Sequence, residues 1–155
     1  TFHNVGRDFP VFDDMQKYVV DAGKAAGAGD QIGNVLYNRG MYAAMLAVEA
    51  AKTAQEIHGT ADITPAMMRD GMEALEMPEA RMSALGMPYF GPSFNVSCEN
   101  HGGPGLVGMT QWDAESKTWS LVSDFQKTDT DVIKPLIDAD SASYATENNI
   151  ESQCN

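Results

Sequence analysis

Apolar and polar positions recur with helical spacing through the first half of the chain and with alternating spacing in parts of the second. The longest apolar-rich stretch is Val35–His58, VLYNRGMYAAMLAVEAAKTAQEIH. Val35 and Leu36 lead into a polar corner of Tyr37, Asn38, Arg39 and Gly40, which is expected to precede a helix of about five turns. Residues 41–48 carry no charged side chain and are apolar on every side, which predicts burial all round. From there Glu49, Lys52, Thr53 and Glu56 share one stripe, expected to face water. Ala43, Ala44, Ala47, Ala50, Ala51 and Ala54 gather on the other side, a small-residue face that another element can approach closely. A helix entered from a polar corner can point backbone N–H groups into a cleft, where its dipole favours an anion.

Before this stretch, Phe12, Met15, Tyr18 or Val19, and Ala22 recur at three and four, predicting an amphipathic helix of about 12 residues from Val11. Asp13 and Asp14 fall in its first turn, where the dipole favours them. The GKAAGAGD that follows is a turn rather than a phosphate loop, because GxxxxGK[ST] is absent. Residues 31–36 read as a short strand entering the corner.

After the long helix, Thr64-Pro65 is a helix start: Thr64 caps, Pro65 takes the first helical position, and Ile63 can staple onto Met68. Met68, Met72 and Leu75 form the stripe expected to face inward. Residues 78–85 predict a short helix stopped by Gly86. In residues 92–98, Phe94, Val96 and Cys98 alternate, which predicts a strand. ENHGGPG is a turn, and residues 106–112 and 119–125 predict a hairpin with Trp112 and Trp119 near its loop. Residues 128–149 are helical in pattern, with a break expected at Pro135 and a second start at Asp140.

The chain has 155 residues, enough for one ordinary domain with a real core, and a formal net charge of −12 with no basic cluster. Nucleic acid is excluded as a partner, since its binding relies on Lys and Arg at phosphates. No stretch approaches about 18 consecutive apolar residues, so no membrane insertion is expected.

Candidate chemistry is sparse. His3, His58 and His101 are scattered, and neither a GxSxG elbow nor an HExxH motif occurs. Cys98-Glu-Asn-His101 sets a thiol and an imidazole three apart, but one CxxH without a second pair is a weak zinc signal. Glu73, Glu76 and Glu79 follow a solvated helix edge. No catalytic constellation, metal site or cofactor is expected, and the chain does not read as an enzyme.

Three quoted stretches carry a resemblance: LYNRGMYAAMLAVEAA, then ITPAMMRDGMEAL, then GPSFNVSCENHGGPGLVGMTQWD. In this order, within residues 8–150, they resemble the C-terminal part of the periplasmic substrate-binding proteins of branched-chain amino-acid-type ABC transporters. That family is of type I, like the Leu/Ile/Val-binding proteins. The resemblance implies an α/β fold, here the C-terminal portion of a two-lobe binding protein, helix-rich with a late β-hairpin. Residues 1–155 would then be a fragment contributing to both lobes and the hinge, its partners being the remaining N-terminal part of the receptor and the transporter's membrane subunits. By the same resemblance the chain is expected to be periplasmic and to take a small ligand, an amino acid, an amide or a small carboxylate, in a cleft that closes by a hinge motion.

Carried over by position, the ligand-binding residues are Tyr37, Asn38 and Arg39, with Tyr42 one turn on. Tyr37 supplies an aromatic wall, Asn38 donates and accepts, and Arg39 can hold a carboxylate in a bidentate pair or bridge the lobes. Likeness to exported proteins also implies a disulfide between Cys98 and Cys154, where two free thiols would be the cytosolic alternative. The rival reading of the whole chain is an acidic α+β protein-interaction module with no small-molecule ligand, in which Tyr37–Arg39 are surface residues.

Overall fold

Asn34 decides where the longest helix begins. Its side chain accepts from the backbone N–H of Leu36 at 2.9 Å, and helix α2 runs unbroken over Val35–His58 to Gly59 in the left-handed conformation. The computed structural model describes residues 3–27, 29–151 and 154. Two expectations change here. Tyr37–Gly40 lie inside α2 rather than before it, and residues 31–36 form no strand, because an Asx cap takes over the approach.

Ahead of α2, helix α1 (Pro10–Met15) passes directly into a π-helical turn, Gln16–Val20, in which Asp21 N–H reaches the Gln16 carbonyl at 2.8 Å. The amphipathic helix expected from Val11 is therefore present but widened at its end. After α2 come helix α3 (Pro65–Glu73), strand β1 (Glu76–Met77), helix α4 (Glu79–Ala84) and strand β2 (Phe94–Asn95). Thr64 caps α3 by accepting from Met67 N–H at 3.3 Å. Gly86, at φ +75°, ends α4 and accepts from Val11 N–H at 3.0 Å, so one left-handed turn also fastens α1.

The core is the meeting of these pieces. Phe9, Phe12, Tyr42, Met45, Met77, Met82, Met87 and Phe90 are buried together, with the Phe9 ring set edge-on to Phe90 at 4.7 Å. α3 crosses α2 at its small-residue face. A Cβ on Gly71 would collide with the Ala50 carbonyl and lie 2.7 Å from Ala54 Cβ, so the two backbones touch there. The close approach expected of the alanine face is found at Ala50 and Ala54.

Burial along α2 differs from expectation in both directions. Val48 is 59% exposed within the stretch expected to be buried all round, whereas Glu49, assigned to the wet stripe, is only 9% exposed. Arg81 of α4 reaches over Glu49 and replaces water as its partner. Met72 of the α3 stripe is also exposed, while Leu75 is buried.

The described residues form three two-stranded ladders, all antiparallel. β1 pairs β2, matching Glu76 to Asn95 and Met77 to Phe94. The strand expected over residues 92–98 is thus short, with one further bridge between Ser97 and Asn100. Strands β4 (Thr110–Asp113) and β5 (Thr118–Leu121) make the expected hairpin, with Trp112 opposite Trp119 and their rings 5.4 Å apart. Strand β3 (Leu106–Val107) joins β6 (Gln126–Lys127) rather than extending that hairpin.

Helix α5 (Thr130–Asn148) is continuous through Pro135, and Asp129 rather than Asp140 caps it. The amide that Pro135 lacks would have paired with the Asp131 carbonyl in the first turn, and Asp131 is exposed, so the loss is not a buried one. Cys98 and Cys154 are bonded, their Cα atoms 5.4 Å apart.

Candidate functional site

An apolar groove runs along α2, and α2 supplies one wall. Tyr42, Ala43, Leu46, Ala47 and Ala50 come to that side because they lie three and four apart. Opposite them stand Pro92, Phe94 and Val96, carried by β2 and its continuation, where Val96 N–H donates to the Leu75 carbonyl at 2.9 Å. The turn at His101–Leu106 closes one end, and Met68, Met72 and Leu75 line the other. The groove comprises two adjoining cavities of about 370 and 480 Å³ that share Ala43, Leu46, Phe94, Val96 and His101.

Charge sits at its rim. Arg39 lies beside the first cavity. At the second, Glu73 Oε1 is 3.3 Å from His101 Nε2 and 3.8 Å from Arg69 Nε. Walls of this kind suit an apolar segment or side chain whose neighbours are polar.

Of the residues expected to bind ligand, two reach this groove. Arg39 is exposed at its edge, and Tyr42 is buried in its wall, packed so closely that a Cβ on Gly91 would lie 2.8 Å from the Tyr42 hydroxyl. Burial raises the Tyr42 phenol to about 12, so it stays protonated at any ordinary pH. The other two point elsewhere. Asn38 is fully buried, and its amide donates to the Gly6 carbonyl at 2.9 Å, tying the N-terminal segment to α2. Tyr37 packs edge-on to Phe12 at 6.4 Å, with its hydroxyl 3.8 Å from Met15 Sδ. The anion-favouring helix terminus expected beside Arg39 lies a full turn upstream, at Asn34–Leu36.

His3 is a further buried polar group near the same end of α2. Its ring stacks on Phe90 at 5.9 Å and its Nδ1 pairs with the Asn4 carbonyl at 2.8 Å. Burial first, and the Arg39 charge as a smaller cause, lower its pKa.

The sequence reading missed Phe94 and Val96 as groove walls and the cluster of Glu73, Arg69 and His101. The alternation of Phe94, Val96 and Cys98 carried the first signal. No spacing rule could pair Glu73 with His101, which α3 and a later turn bring together.

No protein-family model matches the chain, and no curated protein matches it. A solved structure does: a protein from the Pseudomonas fluorescens group described as an ABC transporter permease. It is 31% identical, with a TM-score of 0.89, over 100% of this chain and 37% of its own. The chain thus spans little more than a third of that neighbour's length. A permease is a membrane subunit rather than a solute-binding receptor, so the expectation of a receptor that carries a small ligand to the transporter is overturned. None of the helices described here is long and apolar enough to cross a membrane. The likeness relates the chain to a component of an ABC transporter and gives no support to a periplasmic binding protein.

Proposed function

We propose that the chain is an extramembrane portion of an ABC transporter component and acts by packing against the rest of the transporter. The observation that carries this reading is the whole-length likeness, 100% of this chain against 37% of a larger protein. Two surfaces support it. The groove along α2 is open and mostly apolar. α5 has no buried residue, yet Ile133, Leu136, Ile137 and Tyr144 stand exposed at helical spacing, Leu136 by 67%. Apolar rows of this kind mark contact surfaces. The Cys98–Cys154 disulfide supports placement outside the cytoplasm, since such bonds persist in oxidising compartments. In this reading the chain performs no catalytic step, and its partners are the other subunits of the transporter.

Charge placed on α5 tests it. In the full-length component, Ile133→Asp combined with Ile137→Asp is expected to abolish co-purification with the other transporter subunits while the circular dichroism of the purified component stays unchanged. Undiminished co-purification of the double variant overturns the reading.

A further inference from the structure

We propose that Glu73, Cys98, His101 and Cys154 form a zinc site that the Cys98–Cys154 disulfide keeps closed. A carboxylate oxygen of Glu73, the Cys98 sulfur and a ring nitrogen of His101 all lie within 4.8 Å of one another. Cys154 supplies a fourth ligand, because its sulfur is bonded to that of Cys98. Zinc takes four N, S and O ligands tetrahedrally, at about 2.0–2.3 Å from the metal, so neighbouring ligand atoms stand about 3.3–3.8 Å apart. His101 Nε2 and Glu73 Oε1 are already 3.3 Å apart. The site is reached from outside, since His101 is 64% exposed and lines the groove, whereas Glu73 is mostly covered at 19%.

Glu73 and His101 are held by contacts other than the bond that would break. Glu73 ends α3, whose position follows from its backbone contact with α2. His101 sits on the turn after the Ser97–Asn100 bridge, where Asn100 also donates to the Gly103 carbonyl at 3.2 Å. Only Cys154 lies on the segment beyond α5.

With the disulfide closed, both sulfurs are spent on each other and two ligands remain, too few for zinc. Exchange with a dithiol opens the site. The S–S bond breaks, the dithiol is oxidised to its own disulfide, and its two protons pass to the Cys98 and Cys154 sulfurs. Zinc then binds both as thiolates and releases those protons to water. Arg69, 3.8 Å from Glu73 Oε1, offsets the negative charge that results. Metal occupancy thereby reports the redox state of one cysteine pair.

Cobalt(II) titration of the purified chain tests this, because cobalt in a tetrahedral thiolate site absorbs visibly. The oxidised chain is compared with chain reduced by a phosphine, which takes its oxygen from water and leaves the same two thiols. The reduced chain is expected to show tetrahedral cobalt bands and thiolate-to-cobalt charge transfer at a single ion per chain, bleached by zinc, and the oxidised chain none. Glu73→Gln and His101→Ala, made in the reduced chain with circular dichroism recorded alongside, are expected to weaken binding by more than the roughly 10–100-fold that loss of an outer-shell partner costs. Equal binding by oxidised and reduced chain overturns the proposal, as does no binding by the reduced chain, whether or not its helical signal survives. Unchanged affinity in both variants overturns it too, since the two sulfurs would then act alone.

Discussion

Arg81 grips Glu49 with two donors, Nε to Oε2 at 2.6 Å and Nη2 to Oε1 at 2.8 Å, and so joins α4 to the middle of α2. Lys52 adds a third contact at 3.1 Å. The carboxylate side chain is only 11% exposed, so Arg81 is its main replacement for lost water. Arg81→Met strands that charge and is expected to destabilise the fold by about 1.5–3 kcal/mol in urea unfolding. Adding Glu49→Gln in the same chain should cost less than the sum of the two single changes. Strict additivity would mean that the pair does not act as a unit.

The same pair sets a pH dependence. The Arg81 hydrogen bond holds the Glu49 carboxyl below its ordinary 4.5, against the opposing effect of burial. A carboxyl whose folded pKa is depressed contributes stability that is present above the unfolded value and lost as pH falls through the folded one. Stability is therefore expected to fall below about pH 4.5, and Glu49→Gln to flatten that part of the acid limb. An acid limb identical in wild type and variant contradicts this assignment.

His3 works at a higher pH. Its lowered pKa means that the folded state resists protonation, so its contribution is full above 6.5 and declines as pH falls below that value. His3→Phe, which keeps a ring against Phe90, is expected to remove the part of the pH dependence just below 6.5. Thermal melts from pH 7 to 5 that fall in parallel for both proteins would exclude His3 as the source.

Gly71 is required by contact rather than by conformation. A Cβ there meets the Ala50 carbonyl and Ala54, neither of which is the end of a flexible chain. Gly71→Ala is expected to destabilise the protein by about 1–3 kcal/mol despite the better helix propensity of alanine. A gain in melting temperature would show that α2 and α3 can separate at no cost.

Much of the helical fold was legible because local chemistry decides it. Thr64-Pro65 starts α3 and Gly86 ends α4, as their caps require. Trp112 and Trp119 met across a hairpin for the same reason. The misread points are those where tertiary contact or solvent decides. Glu49 looked like a surface charge until Arg81, thirty-two positions on, came over it. Pro135 looked like a break, but an exposed first turn tolerates its missing amide. At the candidate site, Tyr37, Asn38 and Arg39 stood together in the sequence, yet a helix sends successive side chains to different sides. Asn38 went to the N-terminal segment, Tyr37 to Phe12 and Arg39 to the groove. The solute-receptor expectation rested on resemblance rather than on these residues, and it fell to the likeness with a permease.

The disulfide closes a loop between residues 56 positions apart, which the chain-entropy account values at about 4 kcal/mol as an upper figure. Cys98→Ser is expected to lower the melting temperature under oxidising conditions and to match wild type under reductant without metal. An equal drop in both conditions would mean that the cysteine acts through packing alone.

Hydrogen exchange, measured on this chain alone and again within the full-length component assembled with its transporter, reads whether the groove and α5 are covered by partner surface. If the groove and α5 are contact surfaces, the amides of α5 and of residues 92–106 slow by about tenfold or more on assembly, since covered elements open less often. Exchange in α5 and around the groove at the same rates in both states would contradict the account.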